Sequence, residues 1–402
     1  MSRVGQENVR QTTRFCLIDA LLAVWAEAPA ESISVRTLVR KADAAQSAIH
    51  YHFGDMERLY QEASQVALAA AQDWMAVRLK AMSGLAVAPV PRALQIAILT
   101  ASIADWVTSQ RPLAMAARHA PSSAWHRAWD DFWSQLALIL GLEAHATKLA
   151  LFAEGESARH LMTWNPVLDR ALLDETVTAL LLWLEERRFG PEDIRLRHRA
   201  LARENYDSSP SLDDGMARMI AEAAADLLAD DGHAGVTFRA VAHRAGVTLG
   251  SVIHHCGTKS ELLRGALHHL YLREAMGGGP EILAAHTYPP AAMLDRLLAS
   301  IVGGSQPVLR AFDEIELAIY NSSEFNALRG VVRSMDDPSG AWALQQMLGG
   351  TAPPTSLVAA FSAIIRGIGF RARLGGPEAR MLEATARQSL MAFLSADQSA
   401  II

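Results

Sequence analysis

Disulfide chemistry is the first thing this chain lacks. Two cysteines, Cys16 and Cys256, in 402 residues give no disulfide framework to fold around, which fits a reducing, cytoplasmic setting. An excess of positive charge is also missing. The 37 Lys and Arg face 43 Asp and Glu, for a net charge of −6. Neither half of the chain is basic, so indiscriminate coating of a polyanion is excluded, and contact with one must come from a local patch. No apolar run approaches the roughly 18 residues that a membrane helix needs. The opening MSRVGQENVRQTTRF has no apolar signal core, so no membrane is expected as a partner. Alternating strand patterns, a serine elbow, paired carboxylates and a glycine-rich phosphate loop are all missing. Gly277-Gly278-Gly279 follows no strand and reads as a turn. His254, His255 and Cys256, with His268 and His269, are neighbours on helices and point in different directions, so they do not converge on one ion. The expectation is an all-α protein with no catalytic site, no metal and no cofactor.

What the chain does have is enough apolar residue (50% hydrophobic, 20% charged) for large cores, and a length that suggests two or more domains. Its most informative stretch, residues 237–262, reads TFRAVAHRAGVTLGSVIHHCGTKSEL. Val236, Ala240, Val241 and Ala245 fall at helical spacing and define one buried face. Gly246 follows, where a sharp turn wants a positive φ. Thr248 is placed to cap a very short helix, 249–255, that carries Val252 inward. Gly257 ends it, and Thr258 with Glu261 has the spacing of a capping box that starts a longer helix. Two helices across such a turn form a helix-turn-helix, whose second helix fits the major groove of DNA.

The pattern occurs twice. Residues 34–59 read SVRTLVRKADAAQSAIHYHFGDMERL, and a shift of 203 residues aligns Ile33 with Val236, Ser34 with Thr237, Arg36 with Arg239, Ala42 with Ala245, Gly54 with Gly257 and Leu59 with Leu262, with no gap. An in-phase repeat over this length indicates an internal duplication. Both stretches resemble the DNA-binding domain of the tetracycline-repressor (TetR) family of bacterial transcription regulators. The second keeps Thr237, Val241, Ala242, Ala245, Gly246, Val247, Thr248, Gly250, Val252, Lys259 and Leu262, and departs at Ile253 and Cys256, where the family has aromatics. The first keeps Leu38, Ala42, Ile49, Tyr51, His52, Phe53 and Leu59, and departs at Asp43 and Ser47, where the family has glycine, and at Met56, where it has lysine.

The resemblance implies two tandem TetR-like domains, each with an N-terminal three-helix helix-turn-helix unit and a C-terminal helical bundle for ligand binding and dimerisation. Copy one is expected over 1–189, with its helix-turn-helix at 34–53 and its helical domain at 72–189. A linker follows at 190–211, and copy two spans 212–402, with its helix-turn-helix at 237–256 and its helical domain at 276–402. Residues 1–10 read as a frayed polar tail. A first helix is expected over 12–27 with Phe15, Ile18, Leu22 and Trp25 inward. Asp55 caps a long helix with Leu59, Ala63, Val66 and Ala70 inward. Further helices are expected near 91–109, 112–119, 122–140, 143–163 and 167–188, and in copy two near 290–302, 305–321, 324–334, 339–348, 355–373 and 377–395. The linker, with Arg195, Arg197, Arg199 and Arg203 among carboxylates, reads as a solvated connector.

The candidate DNA-contacting residues are Ser34, Arg36, Gln46, Ser47, His50, Tyr51 and His52 in copy one. In copy two they are Thr237, Arg239, Thr248, Leu249, Gly250, Ser251, His254, Thr258 and Lys259. Gln46 suits an adenine edge, whereas Leu249 and Gly250 suit shape and methyl groups; Thr258 and Lys259 suit phosphate. Eight of the nine tryptophans lie in copy one, and Trp125, Trp129 and Trp133 share a helical stripe with Phe132. The family's C-terminal region holds a small-molecule pocket, so Trp106, Trp125, Trp129, Trp133 and Trp164 are candidates to line one for an apolar or aromatic effector. The reading that follows is a ligand-responsive regulator, a repressor of a double-stranded DNA operator, in which one chain supplies both readers as an internal pseudo-dimer and is monomeric in solution; the competing arrangement is a dimer of whole chains with four readers. The alternative is a sensor or interaction protein with degenerate readers. Asp43, Ser47 and Met56 favour it, and Gly246, Gly250 and Lys259 oppose it.

Overall fold

Helical periodicity governs the chain throughout. The computed structural model describes residues 3–27, 33–206, 215–274, 289–303, 307–335, 338–374 and 376–394, and among these there is no β-strand. The chain opens with α1 (Arg3–Ala26), α2 (Val35–Lys41), α3 (Ala48–Phe53), α4 (Met56–Met82), α5 (Arg92–Val107), α6 (Arg111–His119), α7 (Ser123–Leu140), α8 (Ala146–Leu161) and α9 (Pro166–Glu186). After α10 (Asp193–Tyr206) come α11 (Gly215–Gly235), α12 (Phe238–Ala245), α13 (Leu249–Cys256) and α14 (Lys259–Glu274). The chain ends in α15 (Pro290–Val302), α16 (Pro307–Asn321), α17 (Leu328–Ser334), α18 (Pro338–Met347), α19 (Thr355–Ala372) and α20 (Gly376–Leu394). The end of the expected linker, from residue 207, and the Gly277-Gly278-Gly279 turn lie outside the described residues.

Four expectations need correction. The first helix starts at Arg3, so the polar N-terminal segment is helical in its backbone and is not a frayed tail. Its inward stripe is Leu17, Ile18, Leu21 and Trp25, while Phe15 is 58% exposed. The i, i+4, i+8 row of Leu17, Leu21 and Trp25 sets the phase that the pattern through Phe15 and Leu22 missed. In α4 the phase shifts likewise: Ser64, Ala67 and Ala71 are buried beside Leu59 and Ala63, and Val66 faces out. The expected solvated connector is the helix α10, packed on α9, α17 and α19. Finally, α19 has the length and mean hydropathy (1.2 over 18 residues) of a membrane span, but 78% of it is buried in the fold, so it reads as a core helix.

Contacts divide the chain into two compact units. The first holds residues to Ala150 with Glu156–Met162 and Tyr320–Ser323. The second holds Leu151–Gly155, Thr163–Ile319 and the chain from Glu324 on. In the first unit α4 is the spine against which α1, α6 and α7 pack. Its interior is aromatic, with Trp106, Trp125, Trp129, Phe132 and Trp133 all buried. Large aromatic rings bury the most apolar area per residue and lock one another's orientation.

In the second unit α9, α19 and α20 pack together, with α10 docked on them. Glu175 accepts the Ile194 and Arg195 amides at 2.8 and 3.0 Å, which satisfies donors in the first turn of α10. The buried Arg195 guanidinium donates to Thr176 Oγ1 at 2.6 Å. The 151–155 turn of α8 lies directly on the α19 backbone. A Cβ at Gly155 would collide with the Ala363 carbonyl, and one at Gly367 with the Leu151 carbonyl. A shift of 212 residues carries Leu151 to Ala363 and Gly155 to Gly367. The two contacts therefore exchange, as contacts do across a twofold axis.

Candidate nucleic-acid interface

Each reader is built from short helices whose ends are set by local hydrogen bonds. In copy two, Thr237 sits in extended backbone and its hydroxyl accepts the Ala240 amide at 3.2 Å, which starts α12. Gly246 stops that helix at φ 67°. Its amide bonds the His243 carbonyl at 3.3 Å, and the Val247 amide bonds the Ala242 carbonyl at 3.0 Å. Thr248 then caps α13, accepting the Ser251 amide at 3.1 Å. Gly257 closes α13 at φ 60°, and Thr258 accepts the Glu261 amide at 3.2 Å, opening α14.

Copy one repeats this plan with less suitable residues. Ser34 caps α2, accepting the Thr37 amide at 3.2 Å. The turn is made by Asp43 at φ 50°, and the Asp43 and Ala44 amides bond the Arg40 and Val39 carbonyls at 3.4 and 2.9 Å. These are the same two bonds, displaced by 203 residues, that Gly246 and Val247 make. The second helix differs. Ser47 is in helical rather than extended backbone and makes no side-chain cap bond, so α3 is six residues long where α13 is eight. Gln46 and Ser47 therefore precede α3 instead of lying on it. Asp55 caps α4 through the Arg58 amide at 2.8 Å.

The candidate contact residues distribute as follows. Ser34, Arg36, Gln46, Ser47, His50 and Tyr51 are exposed, and His52 is half-buried with its ring edge-on to Tyr51 at 5.0 Å. His50 is bonded back to the Gly54 carbonyl at 2.7 Å through Nδ1, which leaves Nε2 as its outward atom. Thr237, Arg239, Thr248, Leu249, Gly250, His254 and Thr258 are exposed, while Ser251 and Lys259 are half-buried. Ile253, which carries the face one turn on from Leu249, is 49% exposed. The apolar side chains behind the readers are buried: Leu38, Ile49 and Phe53 in copy one, Val241 and Val252 in copy two.

Two residues behind reader one have no signal in the sequence. His119, at the end of α6, stacks on Trp25 at 5.1 Å and lies 5.0 Å from Tyr60. Its pKa is lowered to about 4, chiefly by burial, so the ring is neutral. Asn321 joins the same unit from far along the chain. Its carbonyl accepts the Ile33 amide at 2.8 Å, one residue before the Ser34 cap. Its side-chain oxygen accepts from His119 Nε2 at 3.1 Å. Only a contact 202 residues away in sequence identifies this tie. By the same 203-residue shift Trp25 and Tyr60 correspond to Leu228 and Leu263 behind reader two, which are aliphatic and buried.

Of the candidate effector residues, Trp106 lies 6.3 Å from Trp125 and 5.2 Å from Trp129, and Trp129 lies 5.7 Å from Trp133. Trp74 and Phe132 extend the cluster. Trp164 belongs to the other unit, edge-on to His198 at 5.0 Å. Trp129 Nε1 donates to the Ala150 carbonyl at 3.0 Å and Trp125 Nε1 to Ser64 at 2.7 Å, but the buried Trp133 Nε1 and Thr100 Oγ1 have no hydrogen-bond partner among the described residues. An open groove of about 510 Å³ between α4 and α7 is lined by Met75, Leu79, Ala128, Phe132, Gln135 and Ile139, among others.

The profile of the bacterial regulatory proteins of the tetR family matches this chain twice, at residues 17–63 and 220–266. The two matches are displaced by the same 203 residues as the helix-turn-helix repeat. They take in α2 with α3 and α12 with α13, and they fit two tandem all-α domains. A comparison with curated proteins finds no match to the chain.

Proposed function

We propose, from the premise that this chain carries two DNA-binding domains of the tetR family in tandem, that it is a ligand-responsive repressor whose two unlike readers act as one pseudo-dimer. The DNA-binding regulator is the family's role; its members are regulators and not enzymes, and they work in the cytoplasm. The finer reading rests on one observation, the reciprocal contact of Gly155 with Ala363 and of Gly367 with Leu151. Residue i against j and j against i is the mark of a twofold interface, and here both partners come from one chain. Leu180, Leu184, Ile364 and Ile368 are all buried in the same unit, which supports a large apolar pairing surface. Two identical readers select a palindrome; QSAIHYH and LGSVIHH differ, so the operator need not be one.

For the effector, the tryptophan cluster and the groove beside Phe132 support an apolar or aromatic molecule. The partnerless Trp133 Nε1 supports one that also carries a hydrogen-bond acceptor. Its binding would tilt α4 and α14, to which the recognition helices are joined by two or three residues. Such a ligand must prefer one arrangement of the readers, since only differential affinity shifts a population. The short, uncapped α3 keeps a second reading in play, a sensor whose first reader is degenerate. Gel shifts of the purified protein on DNA upstream of neighbouring genes test both. Sequence-specific binding that Q46A and K259A each weaken supports the two-reader repressor. Binding lost with K259A but indifferent to all reader-one variants supports the degenerate reader.

A further inference from the structure

We propose that Glu154, Arg366 and Arg371 form a charge filter that lets the pairing face of copy one close on that of copy two but keeps copy two from closing on a second copy of itself. The proposal rests on the pseudo-dimer reading above and names what enforces it. The Glu154 carboxylate accepts Arg371 Nε at 2.5 Å, with only 11% and 9% of the two side chains exposed. Removing one member of such a pair leaves the other charge buried without compensation.

The shift of 212 that exchanges the glycine contacts carries Glu154 onto Arg366 and Arg159 onto Arg371. The image of this ion pair is therefore arginine with arginine, Arg159 with Arg366. Each of these is neutralised inside its own copy. Arg159 bonds Glu156 at 2.6 Å. Arg366 bonds Glu316 and lies 3.5 Å from Asp313. The compensation is copy-specific, since Glu156 corresponds to Ile368, Glu316 to Ala104 and Asp313 to Ala101.

Building the same twofold from two copies of the second domain sets Arg366 of each against Arg371 of the other. Each Arg371 then meets an arginine already paired with Glu316 in place of the Glu154 carboxylate, at a depth where charge is poorly screened. Two copies of the first domain would set Glu154 against Arg159, which attract. A dimer of chains that pairs like with like must include the arginine-only half. Pairing copy one with copy two avoids it, and within one chain the covalent connection raises the effective concentration of that pairing. The unlike readers are thereby always presented together.

The test compares full-length wild type, E154R, R371E and E154R/R371E by light scattering across concentrations and by thermal unfolding. Wild type is expected at 43.6 kDa. R371E sets two carboxylates against each other within the chain and makes copy two self-complementary; it is expected to lose several degrees of Tm and to gain a species of twice the mass. E154R is expected to lose Tm without dimerising, and the double variant to recover both Tm and the monomer. If R371E does not accumulate, E154Q, R371Q and their double close a thermodynamic cycle, with single losses expected to be non-additive. A monomeric wild type whose swap variants leave Tm and mass unchanged, or additive losses in the neutral cycle, overturns the filter alone. A wild type of twice the mass overturns the pseudo-dimer reading and the filter with it.

Discussion

The two readers have one architecture and opposite strengths. Reader two meets each backbone demand with the residue best suited to it: glycine at both positive-φ stops and threonine at three helix starts. Its outward face, however, is Leu249, Gly250 and Ile253 beside His254, and of these side chains only the histidine can hydrogen-bond. Reader one presents His50 and Tyr51 on a helix that is shorter, uncapped and preceded by an aspartate turn, with Gln46 just ahead of it, and these side chains can discriminate base edges. The duplication has separated two properties that one reader normally combines, a well-set scaffold and a polar reading face. The supports behind them diverge as well, with Trp25, Tyr60 and His119 stacked in one unit and Leu228 and Leu263 at the places of Trp25 and Tyr60 in the other.

That difference in support gives the largest expected effect. His119 titrates near 4 when folded, against an ordinary 6.5. A lowered histidine pKa means that the unfolded chain binds the proton more tightly. Stability is therefore full above about pH 6.5 and falls as the pH drops towards 4, by about 3 kcal/mol in all. Behind reader two the pKa values of His268 and His269 on α14 are lowered as well, chiefly by burial. Acid should therefore weaken both units, with the larger loss at reader one, where the value falls to about 4. Hydrogen exchange at pH 7 and pH 5 checks this, with the Ile33 amide losing more protection than that of Val252. His119→Phe should remove most of the pH dependence; an unchanged acid slope in that variant would refute the assignment.

The reading faces should separate next. Gln46→Ala is expected to cost about 1–3 kcal/mol on the operator and to relax preference at one base pair, whereas Lys259→Ala should weaken all sequences alike and lower the salt slope by about one. Titrations on a panel of single-base operator variants at two salt concentrations distinguish these patterns. Equal losses across the panel for Gln46→Ala would mean that reader one makes no base contact.

The helix-turn-helix pair was legible in the sequence because every break in it is marked by a residue with a local physical cause, as at Gly246, Thr248, Gly257 and Asp55. The later helices were legible because proline and glycine bracket them, and Pro290–Val302 falls where the periodicity put it. Register was harder to read. With alanine and leucine on most faces of α1 and α4, apolar spacing alone allowed two phases, and packing selected the one through Leu17, Leu21, Ala67 and Ala71. The docked α10 was misread because its mean composition is polar. What buries it is specific, Glu175 and Thr176 receiving Arg195, and no local pattern announces a partner 19 residues upstream. The Asn321 tie is illegible for the same reason, and of the tryptophan cluster only the stripe of Trp125, Trp129 and Trp133 on one helix could be read, while the approach of Trp74 and Trp106 to it is made across long separations in sequence.

A smaller contrast concerns the helix starts. Thr248 accepts the Ser251 amide and sits in extended backbone, so Thr248→Ala should cost about 1 kcal/mol of stability in the unit that holds reader two. Ser47 holds the N-cap place of α3 but makes no cap bond, and the residue aligned with Thr248 by the 203-residue shift is Ala45, so Ser47→Ala should be close to neutral. Urea unfolding of both variants checks the pair. A comparable loss at Ser47 would mean that it caps α3 after all, and that the difference in length between the recognition helices has another origin.

The smallest effect is also the most direct comparison of the copies. Asp43 and Gly246 occupy one position, with φ of 50° and 67°, and make the same pair of carbonyl bonds. A side chain in this left-handed region costs up to about 1–2 kcal/mol, and less for aspartate than for most residues. Glycine avoids that strain but gives the unfolded chain more freedom, which offsets about 0.5–1 kcal/mol of the gain. Asp43→Gly should therefore stabilise its unit only slightly, by about 0.5 kcal/mol. Gly246→Asp should destabilise its own by a similar amount, since a Cβ there meets nothing within 4 Å. The two substitutions are reciprocal, so their effects should be opposite in sign and alike in size. If Asp43→Gly is instead clearly destabilising, the aspartate side chain contributes to the turn, and copy one has its own means of setting the angle between α2 and α3.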